Sequence, residues 1–442
     1  MQLPQDFINQ MLGLLGEVEW EQLRAALEEK PTVSVRVNDK HSAATEMDDA
    51  PVPWCNSGRY LNQRPNFTQD PLFHAGAYYV QEASSMFVEQ ALKVCGEPKT
   101  VLDLCAAPGG KSTLLRSLLP DDALLVSNDP VRNRANVLAE NIIKWGHEGC
   151  FVSCNYPKDF QRLGALFDLV LIDAPCSGEG MFRRDNPAIE MWSIGNVEEC
   201  ALRQYEIVSD IWPAVKNGGY IIYSTCTYNV RENEENVIRF CTELGAEPVE
   251  VPTCPEWGIK GCLLEGSALP VYHFMPHCTK GEGFFLSVLR KKGESNGTNG
   301  FRSKKLRSLP KEYTECLQHT DMAITELGNV LHAVRSEHAD LIARLQEVLY
   351  PLHFGVGLHE AKGRKQVPHH SMAMSRLLTT NAYPIAELTL DEALAYLRHE
   401  AIKVDAPRGY VLVAHQGQPL GFVNNLGSRA NNLYPSEWRI RH

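Results

Sequence analysis

The chain has 442 residues, more than one typical domain holds, so two to four domains are expected. Its 54 acidic against 43 basic residues leave a formal charge of −11, which argues against a protein that coats nucleic acid non-specifically, since that binding rests on Lys and Arg. No apolar run reaches the ~18 residues of a membrane span, Met1–Asp6 lacks a signal-peptide pattern, and the 13 cysteines are scattered without a Cys-x-x-Cys pair, so a cytoplasmic monomer with reduced thiols and no metal site is expected.

Residues 1–70 read as a small α+β extension, helix-like over 17–29 and strand-like over 32–37. The segment His74–Met86 then leads into a helix running to about Lys93; alone it is no more than a capped helix start. From Lys99 to Arg290 strands and helices alternate. Strands are expected at 100–104, 124–128, 150–154, 167–172, 219–224 and 284–289, with helices at 111–119, 131–144, 197–215 and 231–242. This alternation implies an α/β fold with a mostly parallel twisted sheet, whose ligands sit at the carboxyl ends of the strands.

At the end of the first of these strands stand Asp103, Leu104 and the run Cys105, Ala106, Ala107, Pro108, Gly109, Gly110, Lys111. Small residues there let the backbone approach a ligand closely. A phosphate-binding loop needs glycine at position 105, and a dinucleotide fingerprint needs a third glycine; neither is present. S-adenosylmethionine, which has no pyrophosphate to cradle, fits better, with Asp129 after the second strand placed to grip its ribose hydroxyls. A buried glycine turn without a ligand is the plain alternative.

The fourth strand exits into Asp173-Ala174-Pro175-Cys176-Ser177-Gly178, and the fifth into Ser224-Thr225-Cys226-Thr227. A methyltransferase acting on an exocyclic amine usually carries Asp/Asn-Pro-Pro-Tyr at the first of these places. Two cysteines and an acid suit a different acceptor, carbon 5 of a pyrimidine. That carbon becomes nucleophilic only after a thiolate adds to carbon 6 and the charge at nitrogen 3 is neutralised; a base must later remove the carbon 5 proton. Cys226, Asp173 and Cys176 are the candidates for these tasks, against the alternative that they are inert core thiols and a strand-end cap.

Together these motifs resemble the NOL1/NOP2/Sun family of RNA cytosine-5 methyltransferases, most closely its bacterial ribosomal RNA members with a C-terminal RNA-binding extension. The resemblance covers about 70–290 and implies a Rossmann-like, S-adenosylmethionine-dependent core. It further implies that Cys226 is the nucleophile, that Cys176 assists product release, that Cys105–Lys111 hold the methionine side of the cofactor, and that Asp129 holds its ribose. Where the family has an aspartate contacting the adenine amine, this chain has Asn155, whose amide oxygen can still accept. The segment Tyr79–Met86 also matches a family stretch that lines the cleft.

Arg183 and Arg184, just after the fourth motif, could clamp an RNA backbone or form surface salt bridges. Between Arg290 and Lys311 eight Lys/Arg face one acid, Glu294, which reads as a linker, an RNA contact through residues such as Lys304 and Lys305, or both. Residues 293–350 are expected to be this basic linker and a connecting region. The last part, 351–442, resembles a PUA-like β-barrel, with strands at 352–358, 409–415 and 419–424 and a helix at 390–400. His369 and His370 lack metal-ligand partners and read as surface or RNA-contacting residues. The expected function is cytosine-5 methylation of structured RNA, 16S rRNA or the small ribosomal subunit first, tRNA second. A ribose 2′-O-methyltransferase would have no use for the cysteines, and a non-catalytic assembly factor would not need to keep them.

Overall fold

A computed structural model of the chain describes residues 2–39, 50–293 and 306–441. Its centre is a nine-stranded sheet built from β1 (Thr100–Asp103), β2 (Leu124–Asn128), β3 (Cys150–Ser153), β4 (Phe167–Asp173), β5 (Val215–Thr225), β6 (Ala246–Val249), β7 (Val271–Phe274), β8 (Phe284–Lys291) and β9 (Pro351–Phe354). The spatial order is β6-β8-β5-β4-β1-β2-β3-β9, with β7 also paired to β8. Strands β3, β2, β1, β4 and β5 run parallel, whereas β8 returns antiparallel beside β5.

Helices α1 (Gly110–Leu118), α2 (Arg132–Trp145), α3 (Ile194–Ile211) and α4 (Glu234–Leu244) connect these strands. Both faces of the sheet are covered, so its strands are apolar on both sides. Leu102, Val126, Val170 and Ile172 pack into one core, and the alternate residues Val101, Leu125, Leu169 and Leu171 into the other. The chain order reverses between β1 and β4, which opens a crevice at their carboxyl ends. The fold is therefore the Rossmann-like α/β core that was expected, with antiparallel additions at 246–249 and 271–274 that the sequence pattern did not mark.

The N-terminal helix runs from Gln5 to Glu28, with a kink at Gly16 (φ 75°), and so starts well before residue 17. Its apolar face, Phe7, Met11, Trp20, Leu23 and Leu27, packs on Phe182, Trp192 and Tyr228 of the central domain. A four-stranded sheet follows, ordered 50–52, 55–61, 33–37, 78–80. Its last strand crosses the boundary drawn at residue 70. The continuous helix expected after His74 is instead this strand, a 3-10 turn over Ser84–Phe87 and a short helix over Val88–Lys93. Pairing of Tyr78–Val80 with Val35–Val37 decides it, since the ladder takes the backbone hydrogen bonds a helix would need.

The connecting region after residue 311 is a folded unit of strands and helices, and most of the basic linker expected before it lies outside the described residues. Strands 307–308, 322–327, 330–335, 356–362 and 365–368 form a five-stranded sheet across the boundary drawn at 350. The expected strand 352–358 is two strands in two sheets, broken at Gly355 (φ 57°): β9 joins β3 of the central sheet, and Val356–Lys362 joins the five-stranded one. Beyond it, strands 385–387, 409–415, 418–425 and 430–432 with the helix Leu390–Leu397 close the last unit. Lys304 and Lys305 lie outside the described residues.

Candidate active site

The turn after β1 needs glycine twice. Gly109 has φ 119°, in the left-handed region, and a Cβ on Gly110 would stand 3.2 Å from the Tyr79 ring. Around this turn lies a cavity of about 190 Å³, lined by Cys105–Pro108, Gly110 and Lys111, by Tyr79–Glu82 and Ser85, and by Asp103 and Asp173. Burial pushes the Cys105 thiol up, so this residue serves as small wall and not as nucleophile.

Asp103 is fully buried. Its Oδ2 accepts from the Ser112 hydroxyl at 2.7 Å, and its Oδ1 has no partner. Burial pushes its carboxyl up to about 7 against the pull of that hydrogen bond, and the charge of Asp173 adds to the rise. An orphaned carboxylate oxygen in a cavity walled by alanine and glycine fits the α-ammonium of an amino-acid ligand. S-adenosylmethionine therefore suits the residues present. Sequence reading noted an acid at the strand end but gave Asp103 no role.

Lys111 Nζ lies 2.8 Å from Asp173 Oδ2, and the Ser224 hydroxyl donates to Asp173 Oδ1 at 2.9 Å. Burial pulls the Lys111 ammonium down, but Asp173 more than offsets this and raises it. Parallel register sets Asp173 opposite Ser224, so the loops that leave β4 and β5 start side by side. They bring Cys176 Sγ and Cys226 Sγ to 3.0 Å, both as free thiols, and the Cys226 N–H also points to Cys176 Sγ at 3.3 Å. The hydrogen bond to Cys226, then burial, hold Cys176 well above the usual thiol range.

Asp129 follows β2. Its Oδ1 accepts from the Val131 N–H at 2.9 Å, and Arg134 Nη2 stands 3.2 Å from Oδ2. Burial raises its carboxyl despite both contacts. Asn155, after β3, does not present a spare amide: its Oδ1 accepts from the Tyr350 N–H at 2.8 Å, and its Nδ2 donates to Asp159 at 3.2 Å. The adenine contact expected of it must compete with the strand that leads into β9.

Of the two readings of Arg183 and Arg184, RNA clamp or salt bridges, the structure shows salt bridges. The Arg183 side chain is 5% exposed and is spent on Glu282 (2.8 Å), the Gly281 carbonyl (2.7 Å) and the Ala26 carbonyl (3.2 Å). Arg184 pairs with the other oxygen of Glu282 at 3.0 Å. Both arginines tie the loop after Cys176 to the segment before β8; Arg183 is buried in these contacts, while Arg184 keeps a quarter of its side chain exposed. His370 is buried, packed edge-on to Tyr434 and Trp438, whereas His369 is half-buried, its Nδ1 accepting from the Ser371 N–H.

Arg36 was missed. It sits in an alternating strand, fully buried, and donates to Gln81 Oε1 at 3.0 Å and to the Gly110 carbonyl at 3.3 Å, so the N-terminal sheet braces the cofactor turn. One group among the described residues, Glu19, His277 and Cys278, brings three ligand-type atoms within 4.8 Å of one another; Lys260 already occupies its carboxylate.

Comparison with known proteins places these features. The family model for the 16S rRNA methyltransferase RsmB/F matches residues 90–290, that for the N-terminal domain of 16S rRNA methyltransferase RsmF matches 3–83, and that for the methyltransferase RsmF PUA domain matches 383–440. The chain is 31% identical to ribosomal RNA small subunit methyltransferase F of Aeromonas hydrophila, over 88% of its own length and 85% of the relative's. It is 29% identical to the protein of that name from Erwinia tasmaniensis, over 98% and 96%. Among solved structures it resembles NSun6 from Pyrococcus horikoshii with SFG (20% identity, 66% of this chain and 99% of that one, TM-score 0.55). It also resembles a methyltransferase homolog protein from Pyrococcus horikoshii (24%, 65% and 100%, TM-score 0.54). At these identities the structures speak for the fold alone.

Proposed function

The chain belongs to the 16S rRNA methyltransferase RsmB/F family, and from that membership we propose that it methylates carbon 5 of a cytosine in 16S rRNA, with S-adenosylmethionine as donor and Cys226 as covalent nucleophile. The observation that carries the reading is the pair of thiols, Cys176 and Cys226, 3.0 Å apart at the ends of neighbouring strands beside Asp173. Neither a ribose hydroxyl nor an exocyclic amine, as acceptor, has work for two cysteines.

Cys226 gives up its thiol proton to solvent and its sulfur adds to carbon 6 of the base, while the electrons displaced toward nitrogen 3 are neutralised by a proton from solvent. Asp173 accepts from the exocyclic amine, and the Lys111 ammonium, 2.8 Å behind it, supplies the positive charge that the ring needs as electrons move onto it. S-adenosylmethionine, when bound, supplies the methyl group. Asp103, Asp129 and the turn at 105–111 would hold it, the ammonium end at Asp103. After transfer a water molecule accepts the carbon 5 proton, the electrons of the breaking carbon–sulfur bond return to Cys226, Cys176 gives that sulfur its proton, and Cys176 is reprotonated through solvent as nitrogen 3 releases its own. The target base has to leave any stack to reach the thiol, and an unpaired cytosine does so at least cost.

Removing Cys176 takes away a hydrogen bond to a leaving anion, about 1.5–3 kcal/mol, so product release should slow roughly tenfold to a hundredfold. Cys176→Ala incubated with 16S rRNA is expected to accumulate a denaturation-resistant protein–RNA adduct that is absent from the Cys176→Ala, Cys226→Ala double variant. An adduct surviving loss of Cys226 would reverse the two roles. No adduct in any variant, with RNA binding intact, would leave a binding factor. Sequencing the trapped RNA separates 16S rRNA from tRNA.

A further inference from the structure

Two carboxylates lie behind the cysteine pair, Glu179 and Glu232, both fully buried. Their hydrogen-bond partners among the described residues are all neutral. Glu179 stands three residues after Cys176, yet its Oε2 accepts from the backbone N–H of Tyr228 (2.8 Å) and Asn229 (3.0 Å), just beyond Cys226. Glu232 follows Cys226, yet its Oε2 accepts from the N–H of Ser177, the residue after Cys176, at 3.0 Å, and from Gln204 at 2.7 Å. Each loop thus holds the other's backbone. Asn229 Nδ2 joins the two acids, 3.0 Å from Glu179 Oε1 and 2.8 Å from Glu232 Oε1. Glu179 Oε1 takes two further donors, Trp192 Nε1 at 3.0 Å and Gln10 Nε2 at 3.1 Å, and so reaches the N-terminal helix.

Burial of carboxylates without a cation is costly and needs a reason. An amide would not replace them, because Glu179 accepts on both oxygens and glutamine accepts on one. We propose that Glu179 and Glu232, pinned through Asn229, form a crossed clamp of positioning residues that holds the Cys176 and Cys226 thiols in hydrogen-bond contact. The charge of Glu232 also favours the protonated form of Cys176, after the hydrogen bond to Cys226 and burial. The catalytic meaning of the clamp rests on the covalent reading above; its geometry does not.

The test separates the two. Diamide removes two hydrogens from a close dithiol, forms the disulfide and is itself reduced to the hydrazine, so the yield of the Cys176–Cys226 linkage, mapped on peptides by mass, reports thiol contact without any turnover. Glu179→Gln and Glu232→Gln are expected to lower that yield at least threefold and to lengthen the lifetime of the RNA adduct roughly tenfold. Thr227→Val, which removes the 3.0 Å contact between the Thr227 and Ser177 hydroxyls, should act in the same direction and decides the matter should the acid variants fail to fold. Folded variants with the wild-type linkage yield overturn the clamp. A reduced yield upholds the clamp even where Cys176→Ala, with RNA binding intact, forms no adduct, and that second result removes the covalent reading alone.

Discussion

The Lys111–Asp173 pair offers a clean double-mutant cycle, because its two partners differ in exposure. The side chain of Lys111 is 15% exposed and that of Asp173 is 36% exposed, at 2.8 Å. Breaking a fully buried pair from one side costs about 3–5 kcal/mol, and an exposed pair contributes about 0–1 kcal/mol, so this half-open pair falls between. Asp173→Asn leaves an ammonium in the drier position and should destabilise by about 2–3 kcal/mol. Lys111→Met leaves a carboxylate that water can reach and that Ser224 still partners, and should cost about 1 kcal/mol. The double variant should cost less than the sum, with a coupling of about 1–2 kcal/mol. Urea denaturation of the four proteins at one pH measures all terms, and methyl transfer assayed beside it should fall with either single change. A coupling below about 0.3 kcal/mol would refute the idea that the lysine holds the acid in place.

Three further outcomes follow from single sites. Glu148 is fully buried between Arg335 (2.6 Å) and Arg376 (3.2 Å), so Glu148→Ala should destabilise by about 3 kcal/mol and expose the C-terminal units to limited proteolysis first. Burial pushes His74 down to about 4, His332 to about 3 and His369 to about 4. Below about pH 6.5 the unfolded chain binds protons that these rings refuse when folded. Stability is therefore full above that pH and is lost as pH falls toward 4, by up to about 1.4 kcal/mol per unit for each ring; a urea midpoint that does not move between pH 7 and 5 contradicts this. Asp103→Asn should weaken S-adenosylmethionine binding roughly tenfold to a hundredfold by calorimetry. Since the Asp103 carboxyl is pushed up to about 7, wild-type affinity should fall as pH drops below 7, and the variant's should stay flat.

What the sequence made legible was local. The apolar run into Asp103, the glycine pair, and the cysteines just past β4 and β5 are each written within a dozen residues, and parallel strands put such ends side by side. What it hid was decided by partners far along the chain. Arg183 reads as a free cation until Glu282 is placed beside it, and Asn155 as a free amide until Tyr350 arrives. Arg36 occupies a position that alternation would assign to either face, and only packing against the cofactor turn shows which. Strand β9 is four residues long and pairs with a strand some two hundred residues earlier, a match that no periodicity carries.

That pairing changes how the C-terminal units relate to the active site. Because β9 extends the central sheet beside β3, the five-stranded sheet that follows cannot swing away without breaking a ladder. The same seam is tied by the Tyr350 N–H on Asn155, by Glu148 between two arginines from beyond residue 330, and by Arg376 on Asp121 at 2.7 Å. On the far side Lys144 of α2 lies 5.5 Å over Trp438 and 5.8 Å over Phe73, so the last unit, the central domain and the short helix Pro71–His74 beside the N-terminal sheet meet at one side chain. An RNA gripped by the last unit would then stand at a fixed distance from Cys226. On the proposed reading, selection of one cytosine among many rests on that fixed geometry as well as on contacts to neighbouring bases. Loosening the seam at Glu148 should blur the choice of base before it abolishes transfer, because neither Cys226 nor the turn at 105–111 depends on it.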